Sequence, residues 1–408
     1  MTMSNHPKLF VLVLDGMADE PIEQLGGKTP LEAAKTPNMD RLAREGKTGL
    51  AQTIPKGFTP ASDVGNLSIL GYDPKEYYCG RGPLEAANLG IDLKEGEVAF
   101  RCNLITADGD RLADYTAGFI TTDEARRLIE HLAENLGADG AQFYPGVKYR
   151  HLVVFRDPGA AEELLRTVCS PPHDIAGWKI SDHWPKGPAA KQLIELMESS
   201  RQALAGHEVN QVRVDLKENP ANMIWLWGQG TKARLPTYPE RWGVTGVVIS
   251  AVDLVKGAGK LAGLEVVNVP GATGYYDTDY EGKAKAALKS LKKKDVAYLH
   301  VEAADEAGHN GELRQKITAI ENFDRLVVGT ILEHAHTLGD VRILVMPDHP
   351  TSVEKRAHTA DPVPFVIWGQ GIAASDAAGY GESIAKGSGW FVEEAHEILP
   401  KLLTEGKI

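Results

Sequence analysis

Leu9-Phe10-Val11-Leu12-Val13-Leu14 is an unbroken apolar run that stops at Asp15-Gly16. Such a run predicts a parallel strand buried on both faces. Polar residues just past it mark the edge where open α/β sheets place their chemistry. Similar runs recur at Asn222–Trp227, Val244–Ser250, Leu264–Val269, Val296–Val301, Val341–Met346 and Val363–Trp368. Helical spacing falls between them, over about 280–293, 312–336 and 390–404. Near the start, Thr36-Pro37 opens a helix through Met39, Leu42 and Ala43, and Gly46 stops it. Strands and helices alternating in this way predict an α/β fold with a doubly wound core sheet.

The middle of the chain has another texture. Val98–Leu104 and His151–Phe155 read as strands, mixed with helices at about 122–136 and 188–204. These predict a separate α+β unit. The core is therefore expected from 1–83 and 216–408, with 84–215 inserted as a lid domain. The insert follows the stretch Gly57–Leu70. There Pro60 ends an extended segment and Ser62 reads as an N-cap. Val64, Leu67, Ile69 and Leu70 supply the helix's apolar face. A hydroxyl at a positive helix end suits a phosphate, although an ordinary capped helix has the same pattern.

Length and composition narrow the class. The chain has 408 residues, room for two domains, and is 43% hydrophobic and 25% charged, as soluble globular proteins are. Its formal charge of −12 argues against nucleic-acid and anionic-membrane partners. An anionic substrate stays possible, because a bound metal reverses the local sign. Cys79, Cys102 and Cys169 form no CxxC pair, which predicts free thiols in a reducing, cytoplasmic setting. Residues 1–8 do not read as a signal peptide, and no apolar run is long enough to span a bilayer. The sequence is silent on oligomeric state.

Candidate chemistry gathers at the strand ends. Asp15 follows the first strand, Asp305 and His309 follow 296–302, Asp348-His349 follow 341–346, and His358 precedes 363–368. Carboxylates and imidazoles at one edge are ligands for zinc, manganese and similar ions. Asp305 and His309, four apart, share one helical face. Adjacent Asp348 and His349 are expected to point different ways and so to serve two ions. Two neighbouring metals suggest phosphoryl or sulfuryl transfer, with Ser62 as a nucleophile activated by a metal.

Asp15-Gly16, Ser62-Asp63-Val64-Gly65, Asp305 to His309, Asp348-His349 and His358-Thr359-Ala360-Asp361-Pro362-Val363-Pro364-Phe365, in that order, resemble the alkaline phosphatase superfamily. Within it the chain is most similar to cofactor-independent phosphoglycerate mutases of the archaeal type. The resemblance spans nearly the whole chain, includes Ala319-Ile320-Glu321-Asn322-Phe323-Asp324 and Gly271-Ala272-Thr273-Gly274, and is weaker in the insert. It implies two divalent ions, manganese first, with magnesium, cobalt or zinc as alternatives, and no bisphosphoglycerate. One ion would be held by Asp305, His309 and His358, the other by Asp15, Ser62, Asp348 and His349. Ser62 would take the phosphoryl group of a phosphoglycerate as phosphoserine and return it to the other hydroxyl of glycerate. Closure of the site would keep water from taking that group. The substrate's carboxylate and phosphate need cations, for which Arg81, Arg101 and Arg150 are candidates, with Lys232 and Arg241 as further options. His173 and Asp174 are candidate acid–base groups.

Other readings stay open at this level. The metal residues alone do not separate a mutase from a metal-dependent phosphatase or phosphodiesterase; the insert does. A phosphopentomutase typically uses threonine where this chain has Ser62. Decarboxylation of phosphonopyruvate needs a thiamine cofactor's carbanion chemistry, for which no residues are evident. A non-catalytic metal-binding or regulatory relative would not need a nucleophile beside a full ligand set.

Overall fold

The computed structural model describes residues 7–137 and 140–404. The chain forms two compact units. One runs to Tyr78 and resumes at Arg234; the other is the continuous segment Cys79–Ala233.

In the first unit, β1 (Lys8–Leu14) and β2 (Lys47–Ala51) precede the second unit. The second unit contains β3 (Val98–Asp108), β4 (Arg111–Asp114), β5 (Ala141–Val147), β6 (Arg150–Phe155) and β7 (Met223–Thr231). The first unit then resumes with β8 (Gly246–Ile249), β9 (Glu265–Val266), β10 (Val296–Val301) and β11 (Val341–Met346). A small hairpin of β12 (Thr351–Ser352) and β13 (Ala357–His358) follows, and then β14 (Val363–Gly369) and β15 (Phe391–Val392).

The first unit's sheet has the order β15-β2-β14-β11-β1-β10-β8-β9. β1 lies inside it, parallel to both β10 and β11, and Leu9 to Leu14 are buried. That burial on both faces is why the run carries no polar residue. β14 runs antiparallel to β11 and β2, so it starts at the edge where β1, β10 and β11 end. Helix Tyr280–Leu291 buries Ala284, Ala287, Leu288 and Leu291, a helical stripe packed on this sheet. No described helix is long and apolar enough to cross a membrane.

The second unit has its own sheet, β4-β3-β6-β5, with β7 also paired to β3. Helices Thr122–Leu136 and Ala190–Leu204 bury Leu128, Ile129, Leu132, Leu193 and Met197 in its core. β7 corrects one expectation. The run Asn222–Trp227 reads as the core's return, yet it pairs along β3 from Met223 to Thr231. An apolar run states that a strand is buried but not in which sheet. Two others shrink: 264–269 forms only the two-residue β9, and 390–404 forms β15 and a helix beginning at Ile398.

The helix expected over 312–336 is broken by a π turn, Phe323–Val328, between Leu313–Asn322 and Gly329–His334. Asp324 lies at this turn. Helix Pro37–Glu45 lacks a side-chain cap from Thr36. Asp324 caps it instead, accepting from the N–H of Met39 at 2.7 Å, the N–H of Asn38 at 3.3 Å and Asn38 Nδ2 at 2.9 Å. Replacing Asp324 by alanine strands these donors and should cost about 2–3 kcal/mol in urea unfolding. A loss below about 0.5 kcal/mol would show that water or Thr36 caps the helix equally well.

Candidate functional site

The strand ends of the first unit bring together every residue predicted there as a metal ligand or nucleophile. Asp15 follows β1, helix Ala303–Asn310 follows β10 with Asp305 and His309, and Asp348-His349 follow β11. His358 reaches the same edge because the β12–β13 hairpin pairs it with Thr351. Ser62 differs from expectation in one respect. Ala61 is the N-cap and makes no side-chain cap bond; Ser62 is the first helical residue of Ser62–Ile69. Its hydroxyl is thus spared from capping and lies 3.1 Å from His349 Nε2. The helix approaches the Asp348 loop closely at Gly65, where a Cβ would come within 2.5 Å of the Asp348 carbonyl oxygen.

The residues predicted as ligands form two neighbouring groups, and His300 and Glu302 make a third with Asp15. In the first, Asp305 lies 3.4 Å (Oδ2) from His309 Nε2 and 3.2 Å (Oδ1) from His358 Nε2, and the two imidazole nitrogens are 2.7 Å apart. In the second, His349 Nε2 is 3.6 Å from Asp15 Oδ1 and 3.5 Å from Asp348 Oδ2. Asp348 and His349 therefore converge, contrary to the expectation that neighbours point apart. The turn after β11 is not extended, so strand alternation does not apply there. The rings of His349 and His358, one from each group, stack tilted with centroids 4.0 Å apart.

Hydrogen bonding sets the tautomers. His309 Nδ1 lies 3.1 Å from the Arg356 carbonyl and His358 Nδ1 lies 3.3 Å from the Pro60 carbonyl. A carbonyl only accepts, so each Nδ1 carries a proton, and in the neutral ring each Nε2 presents a lone pair. Two lone pairs 2.7 Å apart repel unless a proton or a cation lies between them. Thr351 Oγ1 donates to Asp305 Oδ1, so it accepts from His349 Nδ1 at 3.3 Å. His349 Nε2 is then also a lone pair, and Ser62 Oγ donates to it.

The carboxylates carry the same message. Burial pushes Asp15 well above the usual carboxylate range, and Asp348, Asp305 and Glu302 push it further. Asp15 Oδ1 is buried with no hydrogen-bond partner. Burial also raises Asp348, while burial lowers His349 well below the usual imidazole range. Burial would raise Asp305 too, but His358 and His309 outweigh it and hold Asp305 well below its ordinary value. An orphaned carboxylate oxygen, crowded acids and converging imidazole lone pairs fit bound divalent cations.

Sequence reasoning gave no role to several residues here. Asn66 donates from Nδ2 to Asp348 Oδ2 at 2.7 Å and accepts from Tyr298 Oη at 2.6 Å. His300 Nε2 lies 3.0 Å from Asp15 Oδ2. Lys316 Nζ donates to Asp19 Oδ2 and to the carbonyls of Ala18 and Thr351, joining the loops after β1 and β11. One signal was present in β10: Tyr298 and His300 alternate with Ala297, Leu299 and Val301, which face the apolar cluster.

The second unit places two of the proposed cations, Arg81 and Arg101, at one indole, while Arg150 lies over Tyr149 at 5.5 Å. Arg101 lies 4.3 Å and Arg81 5.3 Å from the centroid of Trp227, and the His173 ring meets it edge-on at 5.2 Å. Burial lowers Arg101; paired Glu85 opposes this, and nearby Arg81 and Arg150 add to it. His173 Nε2 is 3.7 Å from Asp174 Oδ1. Lys232 and Arg241 are engaged elsewhere. Lys232 pairs with Asp92, and Arg241 donates to the Gly71 carbonyl and packs over Trp242.

The comparisons with known proteins agree with one another. Residues 43–210 match a family described as 2,3-bisphosphoglycerate-independent phosphoglycerate mutase. A protein of Geobacter sulfurreducens named as a probable enzyme of that kind is 50% identical over 401 residues, covering 97% of this chain and 99% of its own. A Methanosarcina acetivorans protein bearing the same enzyme name is 51% identical over 384 residues, 93% of this chain and 96% of its own. A solved structure from Pyrococcus horikoshii superposes with a TM-score of 0.81 at 33% identity, over 97% of this chain and 96% of that one.

The protonation state of His309 yields a test. Burial favours the neutral ring, but Asp305 outweighs it and raises the His309 pKa to about 9. A group raised above its unfolded value of about 6.5 stabilises the fold fully below that pH and loses the contribution on rising through about 9. In chelator-treated protein, the Tm advantage of wild type over His309→Gln should therefore shrink between pH 6.5 and 9. A difference independent of pH across that window would mean that His309 does not hold the proton.

Proposed function

The chain belongs to the 2,3-bisphosphoglycerate-independent phosphoglycerate mutases, and on that premise we propose how its own residues interconvert 2-phosphoglycerate and 3-phosphoglycerate. Ser62 is the phosphoryl acceptor. The supporting observation is its spared hydroxyl at a helix start, 3.1 Å from His349 Nε2 within the ligand-type cluster. Asp305, His309 and His358 hold one divalent ion; Asp15, Asp348, His349 and Ser62 hold the other. When bound, these ions supply charge neutralisation for the phosphoryl oxygens and ease ionisation of an alcohol. Manganese is our choice, because the set is oxygen and nitrogen without thiolate, and magnesium, cobalt or zinc would be less favoured substitutes.

The chain's own part has two steps. Ser62 Oγ forms a bond to phosphorus as the bond from phosphorus to the glycerate oxygen breaks, leaving phosphoserine and glycerate. The positive end of helix Ser62–Ile69 favours the phosphate oxygens there. Asn66, bonded to the Ser62 carbonyl and to Asp348, keeps nucleophile and carboxylate in register. The other hydroxyl of glycerate then takes the phosphoryl group back and frees Ser62. The second unit, in our reading the inserted transferase domain, grips the glycerate carboxylate through Arg81, Arg101 and Arg150. His173 and Asp174 serve as acid–base groups for the exchanging hydroxyls. A cytoplasmic setting suits Cys79, Cys102 and Cys169, all free thiols.

Purified protein should isomerise the two phosphoglycerates without added bisphosphoglycerate, and Ser62→Ala should lower this by at least about a thousandfold with the fold unchanged. Brief exposure to substrate followed by acid quench should label Ser62 in wild type alone. An alanine variant as active as wild type would remove Ser62 from the mechanism.

Arg150→Gln tests the second unit. Water needs no carboxylate-binding cation to react, whereas glycerate does. The variant should isomerise more slowly yet release more free phosphate per isomerisation. Equal loss of both activities would point to general damage, and no change in either would make Arg150 a surface charge.

A further inference from the structure

We propose that His300, held by Ser250, is a positioning residue that assigns the two oxygens of Asp15, one to the protein and one to a cation. This rests on the reading that Asp15 helps to hold a metal. His300 and Asp15 are both fully buried, with His300 Nε2 3.0 Å from Asp15 Oδ2. A carboxylate only accepts, so Nε2 carries the proton. At the ring's other nitrogen, Nδ1, the only hydrogen-bonding neighbour found among the described residues is a hydroxyl. Ser250 Oγ lies 3.2 Å from Nδ1 and already accepts the Val252 N–H at 3.0 Å, which leaves its own proton to donate to Nδ1. The relay therefore has one direction: Val252 to Ser250 to His300 to Asp15.

Its consequence falls on Asp15. Oδ2 is occupied by the imidazole N–H. Oδ1 has no hydrogen-bond partner and is the oxygen near His349, at 3.6 Å. A carboxylate tethered at one oxygen cannot swing, so its other oxygen is pre-aimed at the second ligand group. His300 is also set apart from its neighbours. His309, His349 and His358 present Nε2 lone pairs, whereas His300 presents an N–H and so positions a ligand rather than being one.

The test is calorimetric titration of manganese(II) into chelator-stripped, full-length protein. Wild type should show two binding events. His300→Leu should weaken one of them by about 10–100-fold and leave the other unchanged. His300→Gln, whose amide N–H reaches toward the same oxygen, should recover most of the loss. Ser250→Ala, which leaves the ring but unties it, should shift the same event less; it carries the test if His300→Leu does not fold by circular dichroism. Asp15→Asn separates the two levels of the argument. If it leaves both events intact, the reading of Asp15 as a metal residue is what fails. If it weakens one event while His300→Leu and Ser250→Ala bind as wild type does, the positioning role is overturned. A third binding event lost in His300→Leu would overturn it as well, by making His300 a ligand.

Discussion

Mutual repulsion among buried groups governs the first unit. Asp15, Asp305 and Asp348 crowd one edge of the sheet, and His309 and His358 turn lone pairs toward each other across 2.7 Å. Left alone, this arrangement would spread apart. It is held closed by parts remote from the charge itself. Thr351 bridges Asp305 and His349 with one hydroxyl, Lys316 ties the loops after β1 and β11, and Asn66 braces Asp348. Gly16 belongs to the same frame: it has φ of +63°, and a Cβ there would meet Thr351 Oγ1 at 2.5 Å. The scaffold stores an electrostatic demand that a divalent cation answers, so selection for metal binding is expressed in packing as much as in ligand identity.

Much of this was legible in the chain because strand ends announce themselves. An apolar run followed at once by Asp15, or by Asp348-His349, states both burial and the place where burial stops. The antiparallel β14 also fits that logic, since His358 precedes its strand instead of following it. What stayed hidden depends on non-local partners. The sheet to which Met223–Thr231 belongs is decided by β3, over a hundred residues earlier in the chain. The π turn carries Asp324, whose partners at Asn38 and Met39 lie far away in the chain. The spared hydroxyl of Ser62 follows from Ala61 adopting the cap conformation, with φ of −166°, one residue earlier than composition suggests. His300 hid for another reason: it sits within a buried strand, where an imidazole is usually a satisfied core residue.

The two units cluster different kinds of charge. The first presents acids and imidazoles, the second guanidiniums around Trp227. An indole face tolerates cations without neutralising them, and its N–H is itself fixed by Asn103 Oδ1 at 3.1 Å. The chain's overall negative charge therefore coexists with a local cluster of guanidiniums, which net charge alone would not suggest.

The place of β1 inside its sheet has a consequence for biosynthesis. Its register partners are Val296–Val301 and Val341–Met346, so the most apolar stretch of the N-terminal region emerges from the ribosome hundreds of residues before either neighbour exists. At typical elongation rates that interval is on the order of tens of seconds. Meanwhile the continuous segment Cys79–Ala233 is synthesised in full, with every strand of its own sheet. The unit that begins the chain is thus the last to be completed, and β1 must be kept from wrong partners until then.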